Sequence, residues 1–366
     1  MSSIDGKFQL PMEIQRALSG MPIAIWKTCL LTAALIASSA SPHAAPSDAA
    51  TAECSRYADT LPPARDLPTK ADRARLDKCD TAALYFGIER AADPKDARLC
   101  AMMEMEKDET DGLPLHGAGM LAAIYANGKG VARNAKYAKH YACAANPDDP
   151  APDALFERID RAVAGRAQFD TCADAAGGLA GDECALVGYL VELSRAHDAQ
   201  RKLLQWAAAQ AGFDAVRSAA AAYERARVPV EVDRLDHLAN QTWRRVVFVE
   251  QFNAVLGALK DGGADGADLE QRDRELNAVY KRVLREVAQR ASDNSLTPEM
   301  LQPNQLRAVE RAWLAYAEAC ERFRAAIGSP SSSTALRRLL VSQRIEALRA
   351  MFYQVGVDEQ MEPIRY

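Results

Sequence analysis

Residues 306–327, LRAVERAWLAYAEACERFRAAI, decide how this chain is read. Leu306, Val309, Trp313, Tyr316, Cys320, Phe323 and Ile327 recur at alternating steps of three and four. That spacing puts seven apolar side chains on one stripe of a helix. Arg307, Glu310, Arg311, Glu318, Arg322 and Arg324 fall on the remaining faces. A stripe of this length must be covered by other helices, and the sequence supplies them on both sides.

Working outward, the 366 residues are Ala-rich, 49% hydrophobic and 7% aromatic, with few alternating Val/Ile/Thr runs. This composition predicts an all-α protein of closely packed helices, long enough for two domains. Downstream of Thr297-Pro298-Glu299, read as a helix start, the stripe helix runs to Gly328-Ser329-Pro330, where the chain breaks. Leu336, Leu339, Leu340, Ala347, Leu348 and Met351 mark a helix after it, and Leu276, Tyr280, Val283, Leu284 and Val287 one before. Three amphipathic helices joined by breaker-rich links predict a small antiparallel three-helix bundle over 269–355. A long helix with Leu235, Leu238, Val246, Val249, Phe252, Leu256 and Leu259 precedes it, ending in the Gly/Asp-rich linker 261–268. Residues 226–268 are therefore read as a connecting helix and linker.

Residues 1–45 read as a leader. Lys27 followed by the short apolar run from Cys29 to Ala40 has the pattern of a secretory signal, with small-residue cleavage sites after Ala40 or near Ala44 and Ala45. Asp5 and Glu13 do not suit a leader, so translation is expected to start at Met21. The run is too short to span a bilayer and no second one of membrane length follows, so no stable membrane span is expected. An exported, periplasmic protein is the reading. Cysteine usage agrees with it: Cys54, Cys79, Cys100, Cys143, Cys172 and Cys184 lie before residue 185, while Cys320 stands alone on the stripe. Six cysteines in an oxidising compartment predict up to three bridges among fifteen pairings, the local ones being Cys79–Cys100 and Cys172–Cys184, and Cys320 a buried free thiol.

The region 46–225 is read as helical hairpins. Leu121, Ile124 and Tyr125 share one helix face, Gly128-Lys129-Gly130-Val131 breaks the helix, and Asn134 restarts it ahead of Tyr137, Ala138, Tyr141, Cys143, Ala144 and Ala145. Two glycines permit a tight turn and the alanines let the helices approach closely. This pattern resembles a Sel1-like repeat, a relative of the tetratricopeptide repeat, with Ala122 where the family usually has Gly. A degenerate copy, lacking the Gly-x-Gly-Val step, runs through Tyr85, Gly87 and 93–98, and a third hairpin is expected over 183–211. The resemblance implies a protein-interaction scaffold, built from at least three stacked hairpins.

The C-terminal residues resemble the lysozyme-inhibitor LprI-like family, N-terminal domain. The resemblance is carried by Asp273-x-Glu275-Leu276-Asn277-x-x-Tyr280, by Glu310-Arg311-Ala312-Trp313-Leu314-x-Tyr316, by Cys320 at the family's cysteine position, and by Gln343-Arg344-x-x-x-Leu348. The chain departs from the pattern at Tyr316-Ala317, usually Tyr-Arg, and has no second cysteine around Arg337–Leu340. The resemblance implies an all-α protein that binds a protein partner of the envelope or of a host, lysozyme among them.

No catalytic constellation accompanies these patterns. His116, His140, His197 and His237 are scattered, no Ser or Cys sits in a nucleophile motif, no phosphate loop is present, and neither CxxC nor an EF-hand order of carboxylates appears. No enzyme activity, cofactor or metal is expected. Trp313 and Tyr316 read as core positions in preference to a sugar platform. Arg311 and Arg344 are the candidate binding residues of the bundle, with Glu310, Glu275 or Glu346 as ion-pair partners. Glu104 and Asp108 are the candidates in the acidic segment 93–111. Residues 271–366 carry 15 Lys/Arg against 12 Asp/Glu, and residues 45–270 carry 27 against 36. An acidic first half disfavours nucleic acid and tolerates a basic protein such as a lysozyme.

Overall fold

The computed structural model describes residues 53–107, 113–146, 152–173, 175, 177–231, 238–264, 268–292 and 302–354. The leader, the entry segment up to residue 52, Asp108, the middle of the linker at 265–267 and the helix start at 297–299 lie outside them. Among the described residues the regular structure is helical throughout, as an all-α chain requires.

The first half is built on α1 (Lys70–Arg75), α2 (Thr81–Phe86), α3 (Pro94–Glu106), α4 (Gly117–Asn127), α5 (Ala135–Ala145) and α6 (Pro152–Val163). Local chemistry sets their ends. Asp80, Asp93 and Asn134 cap α2, α3 and α5 by accepting from the backbone N–H of Ala83, Asp96 and Tyr137. Gly128 closes α4 in the left-handed region at φ 68°. Gly130, at φ 70°, has a second reason to be glycine: an added Cβ would lie 2.6 Å from the backbone carbon of Pro94. The turn of the α4–α5 hairpin is thus seated on the start of α3 in the hairpin before it. Tyr125 and Tyr141 stack at 5.7 Å between α4 and α5. The six cysteines from Cys54 to Cys184 are paired, as Cys79–Cys100, Cys172–Cys184 and Cys54–Cys143. The two local pairings agree with the sequence expectation. Cys54–Cys143 spans 89 residues. A cross-link of that span removes about 4 kcal/mol of denatured-state entropy in the chain-entropy account.

The hairpin expected over 183–211 is not formed. One helix, α7 (Gly178–Ala208), runs through the segment unbroken. The reason lies in the sequence: its only internal glycine after residue 182, Gly188, faces open space, and no proline intervenes. Instead of folding back on itself, α7 pairs with α9 (Leu238–Asp261). Near its start α7 joins the first core through Cys184 and Val187, and near its end it joins the second through Ala207.

The second core is built on the opening stripe. Leu306, Val309, Trp313, Tyr316, Cys320 and Phe323 are all buried in α11 (Pro303–Ala326). The helices expected on either side are α10 (Leu269–Ser292) and α12 (Ser333–Gln354), which pack on each other. Their core is not theirs alone. The main partner of α11 is α8 (Phe213–Glu231), and one continuous cluster includes Phe213, Val216, Ala220 and Tyr223 of α8 and Phe252, Val255, Leu256 and Leu259 of α9. Every stripe residue thus has a buried neighbour that precedes residue 269 in its own cluster. A fragment of residues 265–366 should therefore be expanded, with a broad, shallow thermal transition in circular dichroism. A fragment of 178–366 carrying Cys184→Ser should melt cooperatively.

Candidate functional site

Arg344 lies at the centre of the second core. It projects from α12 with no solvent exposure, and its charge is met by groups from two other helices. Nε lies 3.1 Å from Glu310 Oε2 on α11, and Nη1 donates to the Tyr223 hydroxyl of α8 at 3.2 Å. The guanidinium also stands 5.8 Å from the centre of the Tyr223 ring. Beside it a cavity of about 10 Å³ is lined by Tyr223, Phe248, Phe252, Trp313 and Tyr316. That is room for roughly one water and for no larger ligand. Trp313 and Tyr316 are core residues here, not a stacking platform. Cys320 is a buried free thiol whose burial pushes its pKa up to about 12, so it stays protonated and unreactive near neutrality.

The two arginines singled out in the sequence have opposite fates. Arg344 takes Glu310 as its partner, whereas Arg311 stands exposed on α11 and pairs with none of Glu310, Glu275 or Glu346. Glu275 pairs with Arg349 instead, at 2.7 Å. Tyr280 is half-buried on α10, and its pKa is raised by burial and by the charge of Glu310. Tyr223 gave no signal in the sequence, because a tyrosine in an Ala/Arg-rich segment has no spacing that points to a buried arginine over a hundred residues away.

In the first half, Glu104 faces inward. It accepts from the Thr81 hydroxyl at 2.8 Å, from Thr81 N–H at 3.1 Å and from Gly117 N–H at 3.0 Å. His116, at the start of α4, lies between two carboxylates, with Nδ1 3.5 Å from Glu104 and Nε2 3.0 Å from Glu183 of α7. The Nε2 contact is an ion pair and not an aligned hydrogen bond, since that Glu183 oxygen is buried and accepts none. The two carboxylates, Glu104 first and then Glu183, hold the imidazole pKa up at about 10, so the ring is cationic at neutral pH. Burial alone would raise the Glu104 pKa, but the hydrogen bonds from His116, Gly117 and Thr81 outweigh it and the net shift is downward. The two acids approach opposite edges of the ring, so the three groups cannot converge on one ion. No group of three or more metal-ligating side chains occurs among the described residues.

The described carboxylates of the acidic segment, those of residues 93–107, are spent internally. Asp93 caps α3, Asp96 pairs with Arg75, Glu106 pairs with Arg73, and Glu104 is in the His116 clamp. Glu104 and Glu106 are thus engaged with different partners. Tyr125 donates to Asp66, which also holds the buried Arg98 at 2.7 Å.

With this geometry in place, the comparison with known families becomes informative. Residues 265–351 match the family described as Lysozyme inhibitor LprI. The LprI-like region is thus α10–α12 with the linker ahead of α10, and it contains Arg311, Arg344, Trp313, Tyr316, Cys320 and Tyr280. The chain matches no curated protein and no solved structure. Within the LprI-like region Arg344 is partnered from outside it, by Tyr223. No described helix is long and apolar enough to cross a membrane.

Two outcomes follow. Arg344→Ala leaves the half-buried Glu310 without its cation and should cost about 3 kcal/mol, whereas Tyr223→Phe should cost about 1 kcal/mol, both read from urea unfolding. The raised His116 pKa contributes stability that is complete below pH 6.5, the ordinary histidine value, and lost as pH rises toward about 10. Between those pH values the unfolding free energy of the wild type should fall more steeply than that of His116→Gln.

Proposed function

We propose that this protein is an exported, non-enzymatic protein-binding protein of the cell envelope, and that its LprI-like bundle inhibits lysozyme. The observation that carries the reading is the match of residues 265–351 to the Lysozyme inhibitor LprI family. An inhibitor acts by occluding a cleft, so it needs a rigid, complementary surface and no reactive side chain. The buried Arg344–Glu310 pair and the continuous core beneath α11 supply rigidity where the expected second cysteine of the family is missing. Three disulfides and the leader pattern of residues 21–45 support a periplasmic location. In this reading 1–45 is the leader, 46–225 a Sel1-like repeat region, 226–268 the connecting helix and linker, and 269–355 the LprI-like bundle.

Net positive charge on residues 271–366 does not complement a basic lysozyme, and Asp96, Glu104 and Glu106 of the first half are paired within the fold. Recognition would then rest on shape and short-range contacts, which salt screens weakly. In a turnover assay on labelled cell wall, the full mature chain should inhibit lysozyme to completion at saturating dose. The midpoint should move less than about threefold when ionic strength is raised tenfold. Absence of inhibition at any dose would sink this reading.

The second reading is an adaptor whose Sel1-like hairpins dock an envelope partner. The observation that favours it is the seating of Gly130 on the backbone of Pro94, which stacks one hairpin on the next as a repeat array requires. A partner retained by the chain without any effect on lysozyme turnover, and lost on Gly130→Val, would favour it.

A further inference from the structure

The cations of the bundle fall into two groups. Arg272, Arg274, Arg322, Arg324, Arg337, Arg338, Arg344 and Arg349 each lie within ion-pair distance of a carboxylate, and Arg282 is also engaged. Lys281 and Arg285 of α10, and Arg307 and Arg311 of α11, are exposed and have no ion pair among the described residues. Both pairs are spaced by four residues, so each lies along one face of its helix. The two helices that present these faces pack against each other. Tyr280, next to Lys281, is within electrostatic reach of both Arg307 and Arg311. One turn on from Arg311, Leu314 is 54% exposed, the large apolar side chain that α10 and α11 leave to solvent among the described residues. Ala278 and Ala315 are exposed beside it.

We propose that this face docks the protein on an anionic lipid surface, the four cations meeting headgroup phosphates and Leu314 entering the interfacial layer. Basic residues around a modest apolar element are what a peripheral contact of this kind requires. The face is formed by two helix surfaces, and none of its four cations lines the small cavity beside Arg344. Long cationic stems with no partner to hold them suit a fluid array of phosphates. A protein epitope would instead reward aromatic anchors and fixed hydrogen-bond geometry, and α10 and α11 bury their tryptophan and place Tyr280 only half in solvent. The charge distribution also sets an orientation. Residues 45–270, with 27 Lys/Arg against 36 Asp/Glu, are repelled by the surface that attracts the four cations. This inference stands apart from lysozyme binding, and its test contains no lysozyme.

The experiment is flotation of the full mature chain with vesicles of phosphatidylglycerol and phosphatidylcholine, and with phosphatidylcholine alone. The wild type should float with the anionic vesicles only, and excess salt should release it. Lys281→Gln, Arg285→Gln, Arg307→Gln and Arg311→Gln combined should lower the partition by more than tenfold, taking roughly 1 kcal/mol per cation near the surface. A matched set on the other half, Arg90, Lys95, Arg166 and Arg195 to Gln, should leave it unchanged. Replacing the three arginines of the face by lysine should also preserve it, because a phosphate array needs point charges and not guanidinium forks. Circular dichroism melts of each variant serve as the folding control. No binding to anionic vesicles, equal binding to neutral ones, or full binding by the Gln variant would overturn the proposal. Loss of binding in the Lys variant, or salt-sensitive capture by polyglutamate without vesicle binding, would equally overturn it and assign the face to an acidic protein.

Discussion

Burial of the α11 stripe against helices from both sides of the chain is the constraint on which the second half of this protein depends. Seven apolar positions on one helix cannot be covered by the two helices that flank it in sequence. The covering is completed by α8 and α9, so the core that contains Trp313 and Tyr316 also contains Phe213, Tyr223, Phe252 and Leu256. Arg344 sits inside that core because Glu310 and the Tyr223 hydroxyl reach it from two directions. A charge so placed is tolerated only while both partners hold their positions, which ties the register of α8, α11 and α12 together.

The first half solves a different problem. Its helices are short and its core is rich in alanine, a side chain that offers little apolar area to bury. Three disulfides compensate, Cys54–Cys143 fastening the start of the region to the end of α5. The His116 clamp adds an electrostatic fastening to α7 through Glu183. That long helix is where the two cores communicate, since it contributes Cys184 and Val187 to one and Ala207 to the other. Any partner that shifts α7 therefore strains both.

These arrangements explain why charge in the sequence was a poor guide to binding. The segment 93–107 looks acidic in one dimension, yet its carboxylates cap a helix, pair with Arg73 and Arg75, or close on His116. The bundle looks nearly balanced, yet Asp268, Asp273 and Glu275 are spent on arginines of α12, while Lys281, Arg285, Arg307 and Arg311 stay in the open. Net charge by segment averages over what folding separates.

The sequence by itself determined the all-α class, the stripe, the hairpin around Gly128 and Gly130, the two local disulfides and the buried state of Cys320. Each of these follows from helical periodicity, turn chemistry or short separation along the chain, all of which are local. The resemblance to the LprI family likewise lay in a contiguous stretch of side chains. Only the tertiary structure decided that α7 is one helix paired with α9, that α8 is the main neighbour of the stripe, and that Glu104 turns inward while Arg311 stays out. Those outcomes depend on which distant surface is available to bury a given face, and no spacing within a single helix encodes its partner.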